Sequence, residues 1–176
     1  DMYTGACHKW MCTPKGVSFL YVRKELQDDV HPLVISWGWE SEKPGLSKFL
    51  DWHEWQGTRD MSAFLTVPSA VKFLKEHNWP EVSIKCRELV IRFRKKFIDY
   101  LNIEPLCPSQ LLGQMASIPL PPINAEAFKM NLMETYRIQV PLFEWEGKTY
   151  LRYSFQAYNS EDDLEKLLIA VKELLG

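Results

Sequence analysis

The sequence predicts an α/β fold in two parts, on three observations. The run Gly16 to Arg23, GVSFLYVR, has the β-branched and aromatic composition of a buried strand entered from a turn at Pro14 and Gly16. Two segments, Ser62 to His77 and about Val82 to Leu101, repeat apolar residues at helical spacing. Beyond Gln114, strand and helix patterns alternate and close on a hairpin signal and a capped helix.

Taken in order, the strand at 16 to 23 follows a Thr/Gly-rich turn at Thr4-Gly5, which places Lys9 on a strand end or loop. Residues 28 to 60 are rich in Trp, Gly, Pro and mixed charge without sustained periodicity, as suits a long excursion that shapes a site or an interface. Its four tryptophans, at 37, 39, 52 and 55, are expected to pack or to form a partner surface, because each ring can bury a large area. In the first helix Phe64, Val67, Val71 and Leu74 form the stripe, interrupted at Pro68. Asn78 and Pro80 break the pattern before a second helix with the face Ile84, Leu89, Phe93, Phe97 and Leu101. A strand near Gln114 to Pro119, a helix opening at Asn124 or Ala125 and a strand from Ile138 to Trp145 follow. Glu146-Gly147 turns the chain into a strand from Thr149 to Ala157. Ser160, with Asp163 three residues on, reads as a capping box for a last helix lined by Leu164, Leu167, Leu168, Val171 and Leu174. The expected division is 1–80 and 81–176.

Charge excludes some functions. Lys and Arg total 21 against 23 Asp and Glu, a net charge of -2, so no general attraction for nucleic acid or an anionic membrane surface is expected. The densest basic run, Arg87, Arg92, Arg94, Lys95 and Lys96, alternates with apolar residues and reads as a solvated helix face. No apolar stretch approaches the roughly 18 to 20 residues of a membrane span and no leader pattern is present, so a soluble, cytoplasmic protein is expected. Cys7, Cys12, Cys86 and Cys107 contain no CxxC pair and predict reduced thiols with no metal site. Cys7 and His8, being adjacent on a strand, point to opposite faces and do not share an ion.

Lys9 draws the chemical reading. A lysine that forms an imine must lose its proton near neutral pH, which burial or a nearby cation promotes, and Lys9 is flanked by His8 and Trp10 ahead of an apolar strand. Residues 3 to 22, YTGACHKWMCTPKGVSFLYV, resemble the active-site lysine segment of the class V aminotransferase family, in which a His-Lys pair precedes a Pro-Lys-Gly turn and a strand. The His-Lys-Trp form is most similar to that of the isopenicillin N epimerase group. Three further segments agree in order: Trp55-Gln56-Gly57-Thr58-Arg59-Asp60, Arg137 to Pro141, and Leu151-Arg152-Tyr153-Ser154 running on to Tyr158-Asn159.

This resemblance implies the end of a pyridoxal-phosphate fold-type I large domain over 1–80 and a small C-terminal α/β domain with an antiparallel hairpin over 81–176. It implies that Lys9 anchors pyridoxal 5'-phosphate as a Schiff base and moves protons at the substrate α-carbon. His8 would help hold the phosphate, while Gly57 and Thr58 would reach across a homodimer interface to the phosphate of the other subunit. Arg152 would take the carboxylate of an amino-acid substrate, which its planar fork fits. Two departures narrow the chemistry. Ala6 stands where many members have a phosphate-binding Ser, and residues 108 to 176 lack the cysteine that a desulfurase needs. No partner for the pyridine nitrogen, ring-stacking aromatic or N-terminal phosphate loop maps onto the chain, so it is expected to be the C-terminal half of a longer enzyme. The expected reaction is epimerisation, with a C-S lyase or aminotransferase as the alternative, and an inactive Trp-rich dimerisation fragment as the alternative of another kind.

Overall fold

The computed structural model describes all 176 residues and divides them into two compact units, Asp1–His77 and Asn78–Gly176.

In the first unit β1 (Met2–Ala6) and β2 (Ser18–Val22) form an antiparallel pair, with Met2 opposite Val22 and Ala6 opposite Ser18. The strand β1 lies where a turn is expected at Thr4-Gly5, and the cause is visible across the ladder. Gly5 faces Phe19, and a Cβ at position 5 would lie 2.8 Å from the Phe19 ring. The missing side chain makes room for that ring, and Thr4 donates its hydroxyl to the Phe19 carbonyl at 2.7 Å. β2 is shorter than expected and not buried throughout: Val22 is buried, whereas Leu20 and Tyr21 are exposed.

The Trp-rich excursion also carries more regular structure than its lack of period suggests. A 3-10 helix spans Lys24–Asp29, and α1 spans Lys48–Glu54, capped by Ser47, whose hydroxyl accepts from the Leu50 amide at 3.1 Å. α1 is too short for a two-turn period to register. Phe49 and Trp52 bury its inner face, with Trp39 stacked on Trp52 at 4.3 Å, while Trp37 and Trp55 stay exposed. The helix expected over 62 to 77 is two: α2 (Ser62–Leu65) and α3 (Val67–Glu76), divided at Thr66 with Pro68 in the first turn of α3, where its missing N–H costs nothing.

The second unit has the larger core. α4 (Trp79–Leu101) begins three residues earlier than expected because Pro80 sits in its first turn rather than ending a helix. β3 (Met115–Pro119), β4 (Leu142–Trp145) and β5 (Lys148–Ser154) form an antiparallel sheet in the order β3-β5-β4, with β4 and β5 joined at Glu146-Gly147, both in positive φ. α5 (Ala125–Glu134) is capped by Asn124, and α6 (Glu161–Leu175) closes the chain. α4 packs on β3 and α6, and α5 on β4 and α6. The core-facing residues of α4 are Cys86, Val90, Phe93 and Phe97, whereas Ile84, expected on that face, is exposed. Residues 138 to 141 are not strand, because the chain leaves α5 through Arg137 in the left-handed region at φ 58.

The basic run on α4 is only partly the solvated face expected. Arg94 is buried at 6% exposure, donating to the Cys107 carbonyl and the Ser109 hydroxyl, each at 2.7 Å. Arg87 donates to the Leu112 and Ser109 carbonyls. Both clamp the 107–112 segment onto the helix, so these two arginines trade water for backbone oxygens. Arg92, Lys95 and Lys96 do stay at the surface, paired with Glu161, Asp99 and Glu165.

At the start of α6 the Asp163 carboxylate accepts from the Ser160 amide at 2.9 Å. That hydrogen bond is the main reason the Asp163 carboxyl is held below its ordinary value of 3.8. A folded value below the unfolded one means stabilisation that is complete above about pH 4 and lost as pH falls through the lower folded value. Asp163→Asn should therefore lower the melting temperature near neutrality, where that contribution is complete, by more than it does at pH 2, and so flatten the dependence of melting temperature on pH in the acid range, measured by thermal unfolding from pH 2 to 7.

Candidate active site

The segment around Lys9 is a turn closed by its own backbone. Cys7 extends the β1–β2 ladder by donating to the Val17 carbonyl at 3.1 Å, the Thr13 amide returns to the Cys7 carbonyl at 3.3 Å, and the Cys12 amide donates to the Lys9 carbonyl at 3.3 Å. Cys12 takes φ 59 to close it. Buried Cys7, Thr13 and Val17 root the loop, His8 is half-buried, and Lys9 and Trp10 are exposed. The burial expected around Lys9 is thus not supplied by this chain. The Lys9 amine enters no ion pair of the chain.

Past Cys12 the loop lies against the helices that follow the Gly57-Thr58 segment. Cys12, Thr13 and Pro14 share a cavity of about 390 Å3 with Thr66, Ser69, Ala70 and Phe73, and the space beside Gly16 is bounded by Ala63. Gly57-Thr58 therefore runs into the same helices that carry the lysine loop, although no hydrogen bond joins Thr58 to His8 or Lys9. Asp60 anchors the segment, its carboxylate accepting from the Ser62 hydroxyl and from the Ser62 amide at 2.8 Å, which together hold its pKa down. The Arg59 guanidinium lies over the Phe64 ring at 4.8 Å.

Gly57 has φ +104, and a Cβ there would meet nothing within 4 Å. Conformation, not space, demands glycine. Gly57→Ala should destabilise the chain by about 1 kcal/mol or more, seen as a lower melting temperature, with no new clash to relieve.

Arg152 belongs to the second unit. On β5 it pairs in register with Ser117 of β3, and its amide donates to the Pro141 carbonyl at 3.0 Å. The strand period alternates it with buried Leu151 and Tyr153, so Arg152 and Ser154 are exposed on the same face. Tyr153, pointing inward, donates its hydroxyl to the Val90 carbonyl at 2.8 Å, and burial pushes its pKa well up. Sequence reasoning missed this anchor of the Arg152 strand, and also His53, whose Nδ1 meets the Phe49 carbonyl at 2.7 Å while its Nε2 is buried without a partner. Neither carries a local sequence signal.

A primary amine on an exposed turn, an adjacent imidazole, and a glycine amide next to an exposed threonine are donor types that suit a phosphorylated aldehyde. No group of three or more His, Cys, Asp or Glu side chains could hold a metal ion, and no helix is long and apolar enough to cross a membrane.

The fold is that of the pyridoxal-phosphate enzymes of fold type I. A cystine C-S lyase solved with its product cysteine persulfide matches 96% of this chain over 45% of its own, at TM-score 0.74 and 19% identity. A cysteine desulfurase from Escherichia coli matches 99% over 46%, at TM-score 0.71 and 19% identity. The model of the aminotransferase class-V family matches residues 1–167, and the chain belongs to that family, whose members are pyridoxal-phosphate-dependent enzymes. It is 33% identical to isopenicillin N epimerase of Amycolatopsis lactamdurans, across 99% of this chain and 47% of that protein. It is 30% identical to a probable chloroplastic L-cysteine desulfhydrase of Arabidopsis thaliana, across 99% and 40%. The chain spans about half the length of these relatives or somewhat less.

Proposed function

We propose that this chain is the lysine-bearing half of an enzyme that acts at the α-carbon of an amino acid or an amino-acid-containing substrate, in the manner of isopenicillin N epimerase. The observation that carries the reading is the His8-Lys9 turn, rooted by buried Cys7 and Thr13 so that the lysine amine projects outward from a fixed backbone. Residues 1–80 would complete the cofactor-binding large domain and 81–176 would form the small domain.

Pyridoxal phosphate, when bound, supplies an electron sink for charge developing at the α-carbon. Lys9 would hold the cofactor covalently as a Schiff base and then take and return a proton at that carbon. His8 would place a ring N–H toward the phosphate. The Gly57 amide and the hydroxyl of exposed Thr58 would give two more donors to a phosphate, in a homodimer to that of the other subunit. Arg152 would receive the substrate carboxylate through its fork of N–H groups. The protein would work in the cytoplasm.

The second reading, a C-S lyase, is favoured by the 30% identity to the Arabidopsis desulfhydrase. Incubating the full-length protein with single enantiomers of amino acids in deuterated water separates the two. Deuterium at the α-carbon with loss of optical purity supports the epimerase. Released sulfide or keto acid instead assigns the lyase or the aminotransferase, and a colourless protein that gives none of these with added cofactor overturns the enzyme reading.

A further inference from the structure

The second unit contains a cavity of about 350 Å3 that the chemistry above does not use. It lies between the connection after α5, the end of β5 and the first turns of α6, and Arg152 is not among its lining residues. Its apolar lining includes half-buried Ile138 and Val140 over buried Phe155, Leu164 and Leu167. Two cations line it, Arg137 and Lys166, and neither is in an ion pair.

Arg137 is held there by the backbone. Its amide donates to the Met133 carbonyl at 3.2 Å and the next amide, of Ile138, to the Leu132 carbonyl at 2.9 Å, which fixes Arg137 at φ 58. A non-glycine residue in that region is uncommon and strained. The one carboxylate on the wall, Asp163, is already engaged by the Ser160 amide at 2.9 Å and by the Asn159 side-chain amide at 3.5 Å. Two exposed positive side chains thus line the cavity with no carboxylate bonded to either.

From this we infer that the cavity binds a small carboxylate with an apolar or aromatic body. Arg137 and Lys166 take the carboxylate, and the body lies against half-buried Ile138 and Val140. The volume falls at the lower end of the roughly 300–1,000 Å3 typical of small-ligand pockets, which suits one ring or a short branched chain. The proposal is independent of Lys9 and of any cofactor.

Phenylacetate titrated into the isotope-labelled chain, followed by amide NMR shifts, tests it. Saturable shifts confined to residues 136–140, 153–155 and 163–167 are expected, with 2-phenylethanol, the neutral counterpart, at least about tenfold weaker, since a charge-assisted hydrogen bond contributes about 1.5–3 kcal/mol. Arg137→Gly removes the cation and also suits the left-handed backbone, so the chain should melt no lower while phenylacetate weakens by about tenfold or more. Lys166→Gln should weaken it in the same direction. Equal affinity for the alcohol, shifts elsewhere on the chain, no saturable shifts at all, or unchanged affinity in both variants would overturn the proposal.

Discussion

Lys9→Ala in the full-length protein should abolish covalent retention of pyridoxal phosphate and lower turnover by at least about a thousandfold, the scale on which loss of a group in both covalent and proton-transfer roles is read. Borohydride reduction followed by peptide mapping is the direct measurement: wild type should carry the reduced pyridoxyl mass on the peptide containing Lys9, and the variant should carry none. Label on Lys15 or another lysine in the wild type would remove Lys9 from its proposed role. The substitution should not unfold the chain, because the Lys9 side chain is exposed and the turn is held by the amides of Cys7, Thr13 and Cys12, all bonded to backbone carbonyls, that of residue 9 included, which alanine retains. A melting temperature close to wild type therefore accompanies the expected loss, and it separates a chemical role from a structural one.

Arg94→Ala should produce the largest loss of stability of any single charge removed from α4, on the order of 3 kcal/mol. The guanidinium is buried, and it supplies hydrogen bonds to the Cys107 carbonyl and the Ser109 hydroxyl, which the truncation would leave without that donor. Removing one partner from a buried polar contact costs the desolvation of what remains. Arg92→Ala, two residues earlier, is the control. Its side chain is half exposed and pairs with Glu161 at 2.6 Å, an interaction of the surface class that contributes about 0–1 kcal/mol. Denaturant unfolding of both variants measures the difference. Equal losses would show that the 107–112 segment does not depend on Arg94.

The two arginines also show where sequence reading stops. Within the run Arg87, Arg92, Arg94, Lys95 and Lys96, helical spacing separates apolar from charged positions but does not tell a guanidinium in water from one that replaces water with carbonyl oxygens. Those oxygens come from residues 13 to 25 positions away. β1 was hidden for a similar reason: Thr4-Gly5 has turn composition, and only Phe19, opposite in the ladder, explains a glycine within a strand. Pro80 reads as a breaker by type yet starts α4 by position, and Ile138 to Pro141 have strand composition but lose the strand to the turn at Arg137.

The sequence by itself determined the α/β class, the hairpin at Glu146-Gly147, the capping box at Ser160, and membership of the class V family, with the segments that mark Lys9, Gly57-Thr58 and Arg152. These are local properties: a period, a turn dipeptide, a cap, or a short motif is written in consecutive residues. Only the tertiary structure decided that Lys9 projects into the open, that Gly57 is required for its backbone angle, that Arg94 is a buried clamp, and that Arg137 and Lys166 line one cavity. Exposure and hydrogen-bond partnership depend on residues distant in the chain, and packing brings them together in ways that no window of neighbouring residues specifies.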